Sequence, residues 1–271
     1  MRDTTPDPGR LLTVIALLSC LPAAARAQHA QYFLPVERAE LSSHVELQLE
    51  YAQPGADPTV HHTVVSVEGQ VAWANRLEVS LDVPFLFYSF TSSDEETVLP
   101  LEPAQVGDMI LGLKGRLYSS DRLTTAAFID TRLPLHSGLG DRNKATFQSG
   151  GAVTLTLGRL HLGGTLELLW FLRTANEDLE TEGRDFFYLG VSLYADYTLF
   201  GIITGRLAVQ YYNSVHPDGD VQVVGITPAL AVHPLRQLEL ALATRVAPTD
   251  HSWNLLGGRA SLLFSTSYRF D

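Results

Sequence analysis

The stretch Leu77-Glu78-Val79-Ser80-Leu81-Asp82-Val83-Pro84-Phe85-Leu86-Phe87 alternates large apolar residues with polar or small ones over most of its length. Successive side chains of a β-strand point to opposite faces, so the pattern predicts an extended segment with one hydrocarbon face and one polar face. Similar alternation recurs along the chain, for example over residues 44–51 and 261–270. The stretch therefore predicts an all-β protein built from many amphipathic strands.

The spacing of these segments predicts how the strands are connected. Connections after every second strand are short, whereas the others are longer and more polar. Transmembrane barrels have this asymmetry, because their periplasmic turns are tight and their outer loops are long. We predict an antiparallel up-and-down transmembrane β-barrel of about 12 strands over residues 42–271, with ten or fourteen strands as the nearest alternatives. The predicted strands lie near 42–52, 61–74, 77–90, 107–118, 122–135, 146–158, 161–173, 186–198, 201–212, 221–233, 237–247 and 255–270.

The first 27 residues have the pattern of an export signal. Arg2 and Arg10 precede or flank an apolar run over 11–21, and Ala25-Arg26-Ala27 supplies small residues for cleavage. We predict a cleaved signal peptide over 1–27, followed by an N-terminal periplasmic segment over 28–41. That segment either folds into the barrel mouth or stays loose. An alternative for the leader is lipidation of Cys20, although Leu18 fits a lipoprotein box poorly.

Charge and composition exclude several classes of protein. The net charge is −11, and after residue 27 the chain carries 16 basic against 28 acidic side chains, which argues against a nucleic-acid partner. Cys20 is the sole cysteine, so the predicted mature chain has no disulfide framework. The longest strongly apolar stretch after the leader is 168–172, whereas a membrane-spanning helix needs roughly 20 such residues.

Aromatic residues concentrate near the predicted strand ends. Amphipathic rings gather at both lipid–water boundaries of a membrane, so this placement supports a membrane barrel over a soluble one. The aromatic residues assigned to the long-loop ends are Tyr51, Phe87, Tyr88, Trp170, Phe171, Phe187, Tyr188, Tyr211 and Trp253. Those assigned to the short-turn ends are Trp73, Tyr118, Tyr194, Tyr197, Tyr268 and Phe270.

If the apolar faces touch lipid, the charged faces point into the lumen. A basic residue on the lipid face at mid-membrane depth costs roughly 2–4 kcal/mol, which favours this arrangement. The inward charges have mixed signs, so they either fill the lumen with ion pairs or line a polar path for a solute. The predicted pore-lining residues, all in the middle of strands, are Asp82, Lys114, Asp130, Arg132, Glu167 and Arg206.

Three segments, over residues 76–84, 106–117 and 129–138, together resemble the outer-membrane family named for the meta-pathway of phenol degradation. In that family a strand ends in proline, a Gly-Asp pair opens the next strand, and a Pro-Thr-Gly-like corner follows. Here these features correspond to Pro84, Gly107-Asp108 and the divergent corner Pro134-Leu135-His136-Ser137-Gly138. The resemblance implies a barrel channel that takes up small, often hydrophobic compounds, with no catalytic residue to transfer.

Known catalytic and metal-binding patterns are not recognisable in the sequence. His136 and Ser137 are adjacent and would point to opposite faces of a strand, so they do not form a hydrolase dyad without a bulge. The histidines His61, His62 and His216 lack further ligands at metal-binding spacing. We therefore predict no enzyme activity, no cofactor and no metal site. Acidic clusters at 94–96, 177–178 and 218–220 predict hydrated loops, with divalent cations bridging them to lipopolysaccharide as an alternative.

The function predicted from these features is passive passage of a small solute across the outer membrane of a Gram-negative bacterium. One alternative is a structural or surface-interaction barrel with a plugged lumen, and another is a barrel-embedded lipid hydrolase. The predicted partners are outer-membrane lipid and lipopolysaccharide, the solute, and the barrel assembly machinery. That machinery usually recognises a terminal aromatic residue, which here is the penultimate Phe270.

Overall fold

The computed structural model describes residues 37–53, 60–90, 105–133, 145–171, 186–215, 222–248 and 260–270. Within these ranges the chain forms thirteen strands, and no helix is long and apolar enough to cross a membrane. The predicted leader 1–27 with Cys20, the three acidic clusters, and the pair His136 and Ser137 lie outside the described residues. The strands are β1 (His44–Gln53), β2 (Val60–Trp73), β3 (Leu77–Phe90), β4 (Gln105–Val106), β5 (Met109–Ser119), β6 (Leu123–Leu133), β7 (Thr146–Leu157), β8 (Leu160–Phe171), β9 (Phe186–Leu199), β10 (Ile203–Ser214), β11 (Gln222–Leu235), β12 (Leu238–Val246) and β13 (Ala260–Arg269).

The strands form one antiparallel sheet that closes on itself. Apart from β4 and β5, each strand pairs with its neighbours in chain order. Strand β1 closes the ring by pairing with β13 through ten residues, from His44 opposite Arg269 to Gln53 opposite Ala260. The two-residue β4 and the long β5 both pair with β3, so together they occupy a single place in the ring. The barrel thus has twelve places, which confirms the predicted twelve-stranded architecture and up-and-down topology.

The junction between β4 and β5 shows how the chain accommodates Pro84, where the resembled family ends a strand but this strand continues, as predicted over 77–90. Pro84 lies inside β3, opposite Ser66 of β2. The partner of Phe85 is Val106, whereas the partner of Asp82 is Ile110, so one extra residue is inserted on the β4–β5 side. Gly107 donates its backbone N–H to the Pro84 carbonyl at 2.7 Å. Proline fits this position because it lacks the N–H that an uninterrupted ladder would require, and a bulge interrupts the ladder here.

Alternation of side chains produces an apolar outer wall. Leu113 and Leu193, for example, are exposed, while their neighbours Lys114 and Ser192 are buried. Many large apolar residues remain exposed in the same way on the outer side of the barrel. An exposed apolar surface of this extent matches contact with lipid rather than water.

Among the aromatic residues whose side chains the structure describes, most form belts near both ends of this wall, and Tyr188 and Tyr194 do not. Trp73, Tyr118 and Tyr197 are exposed near the short turns, and Trp170 stacks on Phe187 at 5.5 Å near the long loops. The assignment of Tyr188 and Tyr194 to the belts is wrong, because both point into the barrel and are at most 8% exposed. Their position along the strand suggested a belt, but the alternation of side chains turns them inward.

Tight turns join the strands at the end opposite the long loops. Ala74 and Asn75 both have positive φ angles, of 48° and 53°, and Arg76 donates its N–H to the Trp73 carbonyl at 2.9 Å. Two central residues with positive φ define the type I′ turn, whose twist matches that of an antiparallel hairpin. Phe200 and Gly201 adopt the same geometry between β9 and β10. These turns fix the register of the hairpins, and so decide which side chains enter the lumen.

Candidate functional site: the barrel lumen

The inner wall has one densely filled side, which we call the packed side and define as the inward faces of β6, β7, β8 and β9. Its side chains are nearly all buried even though they line the interior of a barrel. They include aromatic, charged and amide groups that reach across to one another. The buried residues are Ala126, Phe128, Asp130, Arg132, Thr146, Gln148, Ala152, Thr154, Thr165, Glu167, Leu169, Tyr188, Ser192, Tyr194 and Asp196.

Glu167 is the centre of a hydrogen-bond cluster on the packed side. Its Oε1 accepts from Ser192 Oγ at 2.7 Å, from Thr165 Oγ1 at 3.1 Å and from the Tyr212 hydroxyl at 3.2 Å. Its Oε2 accepts from the Gln148 amide. Buried charges are retained only when their hydrogen bonds are satisfied, and four donors meet this need at a side chain that is 2% exposed. The cluster ties together β7, β8, β9 and β10.

Glycines of the packed side make room for two aromatic rings, Tyr194 on β9 and Tyr212 on β10. Gly163 lies beneath the ring of Tyr194, and a Cβ at this glycine would collide with the ring atoms and the hydroxyl. Gly190 holds the ring of Tyr212 in the same way. The Tyr194 hydroxyl is hydrogen-bonded to Thr154 of β7. A side chain larger than that of glycine at either position would displace the ring beside it.

On the next four strands, β10–β13, small side chains occupy the middle of the inward face. Larger inward residues on the same strands, such as Tyr212, Arg245 and Leu263, are buried. We call the middle part the small-residue strip and define it by six inward positions on β10, β11, β12 and β13. All six are only half-buried, in contrast to the packed side. They are adjacent in the sheet: Ala208 is opposite Thr227, Ala229 is opposite Ala243, and Ala241 is opposite Ser265. The strip is formed by Ala208, Thr227, Ala229, Ala241, Ala243 and Ser265.

Acidic side chains adjoin the strip on β1 and β2. Glu46 lies directly opposite Glu68, and Glu68 lies opposite Asp82 of β3, so three carboxyl groups share one row. All three are half-buried. His44 brings a third potential ligand atom to Glu46 and Glu68, and these atoms lie within 4.8 Å of one another. Like charges on directly opposite positions repel. His44 lies 4.0 Å from Glu46, and the Arg132 guanidinium acts on Asp82, so the row is only partly balanced by positive charge.

Basic side chains next to the strip are paired with carboxylates. Arg206 donates two hydrogen bonds to Glu239, at 2.5 Å and 2.8 Å, and its Nε lies 3.8 Å from Asp196. Arg245 lies 3.3 Å from Glu50. Such pairs cancel most of the positive charge that these side chains bring into the lumen. The inward side chains beside the small-residue strip therefore have a net negative formal charge.

Residues 37–42, which precede β1, lie inside the barrel. Glu37 pairs with Lys114 of β5 at 3.2 Å, and Lys114 also contacts Glu78 of β3 at 2.8 Å. Arg38 pairs with Asp196 of β9 at 2.6 Å. Burial raises the pKa of the Glu37 carboxyl above its usual range, while the Lys114 ammonium opposes this rise. The segment thus crosses the inner face of several strands and is held by charged groups.

All six predicted pore-lining residues occupy inward positions, but they do not form one path. Lys114, Asp130, Arg132 and Glu167 are at most 8% exposed and are enclosed by neighbours. Asp82 and Arg206 are half-buried and border the remaining lumen. Their burial divides the six residues into four with enclosed side chains and two with side chains that reach the lumen. That all six line a path stays a prediction. The side chains of His61 and His62 lie outside the described residues.

Sequence reasoning did not single out the small-residue strip or the segment over 37–42. The strip consists of four alanines, one threonine and one serine, and it is recognisable only when the four strands are placed side by side. The segment contacts residues up to 158 positions away in the sequence, as in the Arg38–Asp196 pair. The alternation of small inward residues with large outward ones over 226–232 was the one local signal of the strip.

Comparisons with solved structures place the fold among outer-membrane channels. The crystal structure of the COG4313 outer membrane channel from Pseudomonas putida F1 matches with a TM-score of 0.61 and 12% sequence identity, over 90% of this chain and 100% of that chain. The NanC porin matches with a TM-score of 0.58 and 11% identity, over 84% of this chain and 99% of that one. No protein-family model and no curated protein sequence matches the chain. At these identities the likeness concerns the barrel fold.

Proposed function

We propose that this protein is a passive channel for a small solute in the outer membrane of a Gram-negative bacterium. The observation that carries the proposal is the small-residue strip, because it leaves half-buried side chains along one wall of an otherwise filled barrel. Barrels near eight strands are filled by side chains, whereas those of sixteen to eighteen strands hold an aqueous channel. A twelve-stranded barrel needs small residues on part of its wall to leave a path.

The charge of the wall favours cationic or neutral solutes. Glu46, Glu68 and Asp82 are half-buried in one row next to the strip, while Arg206 and Arg245 are held by carboxylates. A path lined by charge of one sign raises the local concentration of the opposite ion. We propose that the channel passes small cations more readily than anions, and that it belongs to the meta-pathway phenol family that the corner motifs resemble.

The experiment is a conductance measurement on purified protein in planar bilayers, together with solute uptake by liposomes. Substitution of Ala243→Trp places an indole on the strip, and we expect a severalfold lower conductance. Ala127→Trp is the matched control, because Ala127 is an exposed position on the lipid-facing side of β6 and should leave the conductance unchanged. If the wild-type protein gives neither current in planar bilayers nor solute uptake by liposomes, the channel proposal is overturned.

A barrel with a plugged lumen is the second candidate, and the packed side favours it. Glu167, Gln148 and Ser192 are almost completely buried, so that this half of the cross-section admits no solute. If the rest of the lumen is closed too, Ala243→Trp and wild-type protein should give equally silent bilayers. In that case the outer loops, rather than the lumen, would carry the function.

A further inference from the structure

A histidine and two carboxylates form a compact group on the inward face of β1 and β2, near the tight turn that follows β2. His44 and Glu46 are two residues apart on β1, and Glu68 lies directly opposite Glu46 on β2. Each side chain offers one donor atom, and these three atoms lie within 4.8 Å of one another. The register of two strands thus brings an imidazole nitrogen and two carboxylate oxygens to one point of the wall.

A chain of hydrogen bonds orients the donor atoms of this group. The Ser42 hydroxyl donates to Gln70 Oε1 at 3.4 Å, so the Ser42 oxygen is the acceptor for His44 Nδ1 at 3.0 Å. For this reason we assign the imidazole proton to Nδ1, and the unprotonated Nε2 then lies 4.0 Å from Glu46 Oε2. At the other end of the chain, Gln70 Nε2 donates to the Glu68 carboxylate. Hydrogen bonds of this kind fix the tautomer and the orientation of metal-binding side chains.

A third carboxylate beside the group has an oxygen without a donor. Asp82 of β3 lies directly opposite Glu68, and its charge acts on both Glu68 and Glu46. Its Oδ1 is buried and has no hydrogen-bond partner among the residues that the structure describes, although the Arg132 guanidinium acts on the carboxylate. A buried carboxylate oxygen without a donor is unfavourable unless a cation or an ordered water meets it. This oxygen is independent of the three clustered donor atoms, and it too favours a cation beside Glu68.

Basic side chains close to the group are directed to other carboxylates. Arg206 donates two hydrogen bonds to Glu239, and Arg269 lies 3.7 Å from the same carboxylate. Lys114 contacts Glu78 at 2.8 Å. With a neutral imidazole, the group therefore carries the charge of two carboxylates, which matches one divalent cation. Charges inside proteins are retained when they are paired or when they coordinate metals.

We propose that His44, Glu46 and Glu68 bind a divalent transition-metal ion of the Zn²⁺ type in the wall of the lumen. One imidazole with two carboxylates suits such an ion, whereas Mg²⁺ and Ca²⁺ prefer oxygen ligands alone. Ligand atoms of a tetrahedral zinc site lie roughly 3.4 Å apart, so small rotations of these half-buried side chains close the group around an ion. Water completes the coordination and donates a hydrogen bond to Asp82 Oδ1.

The proposal departs from the expectation of no metal site that the sequence suggested. Spacing along the chain does not reveal the group, because Glu68 joins the other two donors only through the register of β1 and β2. The proposal is also independent of the channel function, since the binding of an ion is measured without any transport of solute.

The test is a titration of the tag-free mature protein in detergent with Zn²⁺, in competition with a chromophoric chelator. We expect His44→Gln and Glu68→Gln each to lose one bound ion per chain or to bind it at least tenfold more weakly. Asp82→Asn should weaken binding severalfold, because it touches the ion only through water. His161→Gln is the matched control: His161 also lies opposite a carboxylate, Asp196, yet among the described residues it belongs to no group of three donors.

Thermal unfolding, followed by circular dichroism of the β-sheet, provides a second measurement and shows that each variant folds. A ligand that binds only the folded state raises the Tm. We expect excess Zn²⁺ to raise the Tm of the wild type and of His161→Gln by several degrees, and to leave the Tm of His44→Gln unchanged. Gln70→Ala removes a positioning residue, and it should weaken zinc binding by about tenfold without changing the number of bound ions.

The outcomes decide between a metal site and a plain ion pair. Equal zinc binding by the wild type and His44→Gln would place the ion on other donors and overturn the proposal. Mg²⁺ or Ca²⁺ bound as tightly as Zn²⁺ would overturn it too, because a row of carboxylates accounts for such binding. No zinc binding by the wild type would show that His44 pairs with Glu46 as a charged imidazolium. One ion per chain, lost in His44→Gln and Glu68→Gln and kept in His161→Gln, supports the site whether or not the barrel conducts.

Discussion

The packed side and the small-residue strip share one barrel, yet they are built from different residues. On β6–β9 the inward positions hold aromatic, amide and charged groups that hydrogen-bond to each other, as around Glu167. On β10–β13 the corresponding mid-strand positions are mainly alanine, and they remain half-buried. Because every strand presents the same apolar face to lipid, the difference lies wholly in the inward face. We propose that one side of the wall supplies stability and the other leaves room for passage.

The largest expected contrast between the two sides is in stability. Replacement of Glu167 by Ala removes an acceptor from four buried donors, and each unsatisfied buried donor costs about 1–3 kcal/mol. We expect Glu167→Ala to lower the free energy of unfolding by about 3 kcal/mol or more. Urea titration of protein folded into lipid bilayers measures this change.

Glu46→Ala is the matched carboxylate on the other side of the lumen. Its carboxyl is half-buried and faces the carboxyl of Glu68, so its loss relieves repulsion and should cost little. Equal destabilisation by Glu167→Ala and Glu46→Ala would show that the two sides contribute alike to stability, which contradicts the comparison.

A smaller effect is expected from a single hydroxyl that reaches the packed side from β10. The Tyr212 hydroxyl donates to Glu167 at 3.2 Å, and Tyr212→Phe removes that hydrogen bond while keeping the ring. We expect a loss of about 1 kcal/mol in the free energy of unfolding. Tyr211→Phe is the control on the adjacent lipid-facing position, where the exposed ring should tolerate the change with a stability close to wild type. A reversed order of these two variants would place the stabilising contacts on the outer wall.

The smallest expected effect is a change in ion selectivity. Glu46→Gln combined with Glu68→Gln removes the two facing carboxylates next to the strip without altering their size. We expect the cation-to-anion permeability ratio, measured from reversal potentials in a salt gradient, to fall by roughly a factor of two. Exchange of Glu167 for Gln is the control, because that carboxylate is enclosed and 2% exposed. If the permeability ratio falls in Glu167→Gln and not in the double variant, the ion path lies on the packed side.

The barrel could be predicted from the sequence because its determinants are local. Alternation over Leu77–Phe87 shows which face of the strand each side chain occupies, and the length of the connections indicates the type of turn. Both depend on a few adjacent residues. The same parity rule, applied strictly, would have turned Tyr188 and Tyr194 inward. The assignment of both to a membrane belt followed their position near strand ends and was wrong.

The division of the lumen could not be predicted in this way, because it depends on contacts between distant residues. Glu167 and Arg206 look alike in sequence, as charged residues in the middle of amphipathic strands. Their different exposure comes from neighbours such as Gln148, Tyr212 and Glu239, which the register of other hairpins brings into place. The place of Arg38 beside Asp196 likewise requires the closed ring.

Cysteine accessibility in a conducting bilayer tests the central claim most directly, since the predicted mature chain offers no competing thiol. Single variants Ala243→Cys on the strip and Ser192→Cys on the packed side would be exposed to a small charged, membrane-impermeant thiol reagent during recording. The account predicts that current through the Ala243→Cys protein falls on addition of the reagent, while current through the Ser192→Cys protein does not change, because Ser192 is fully enclosed. A current that falls in Ser192→Cys and stays constant in Ala243→Cys would contradict it.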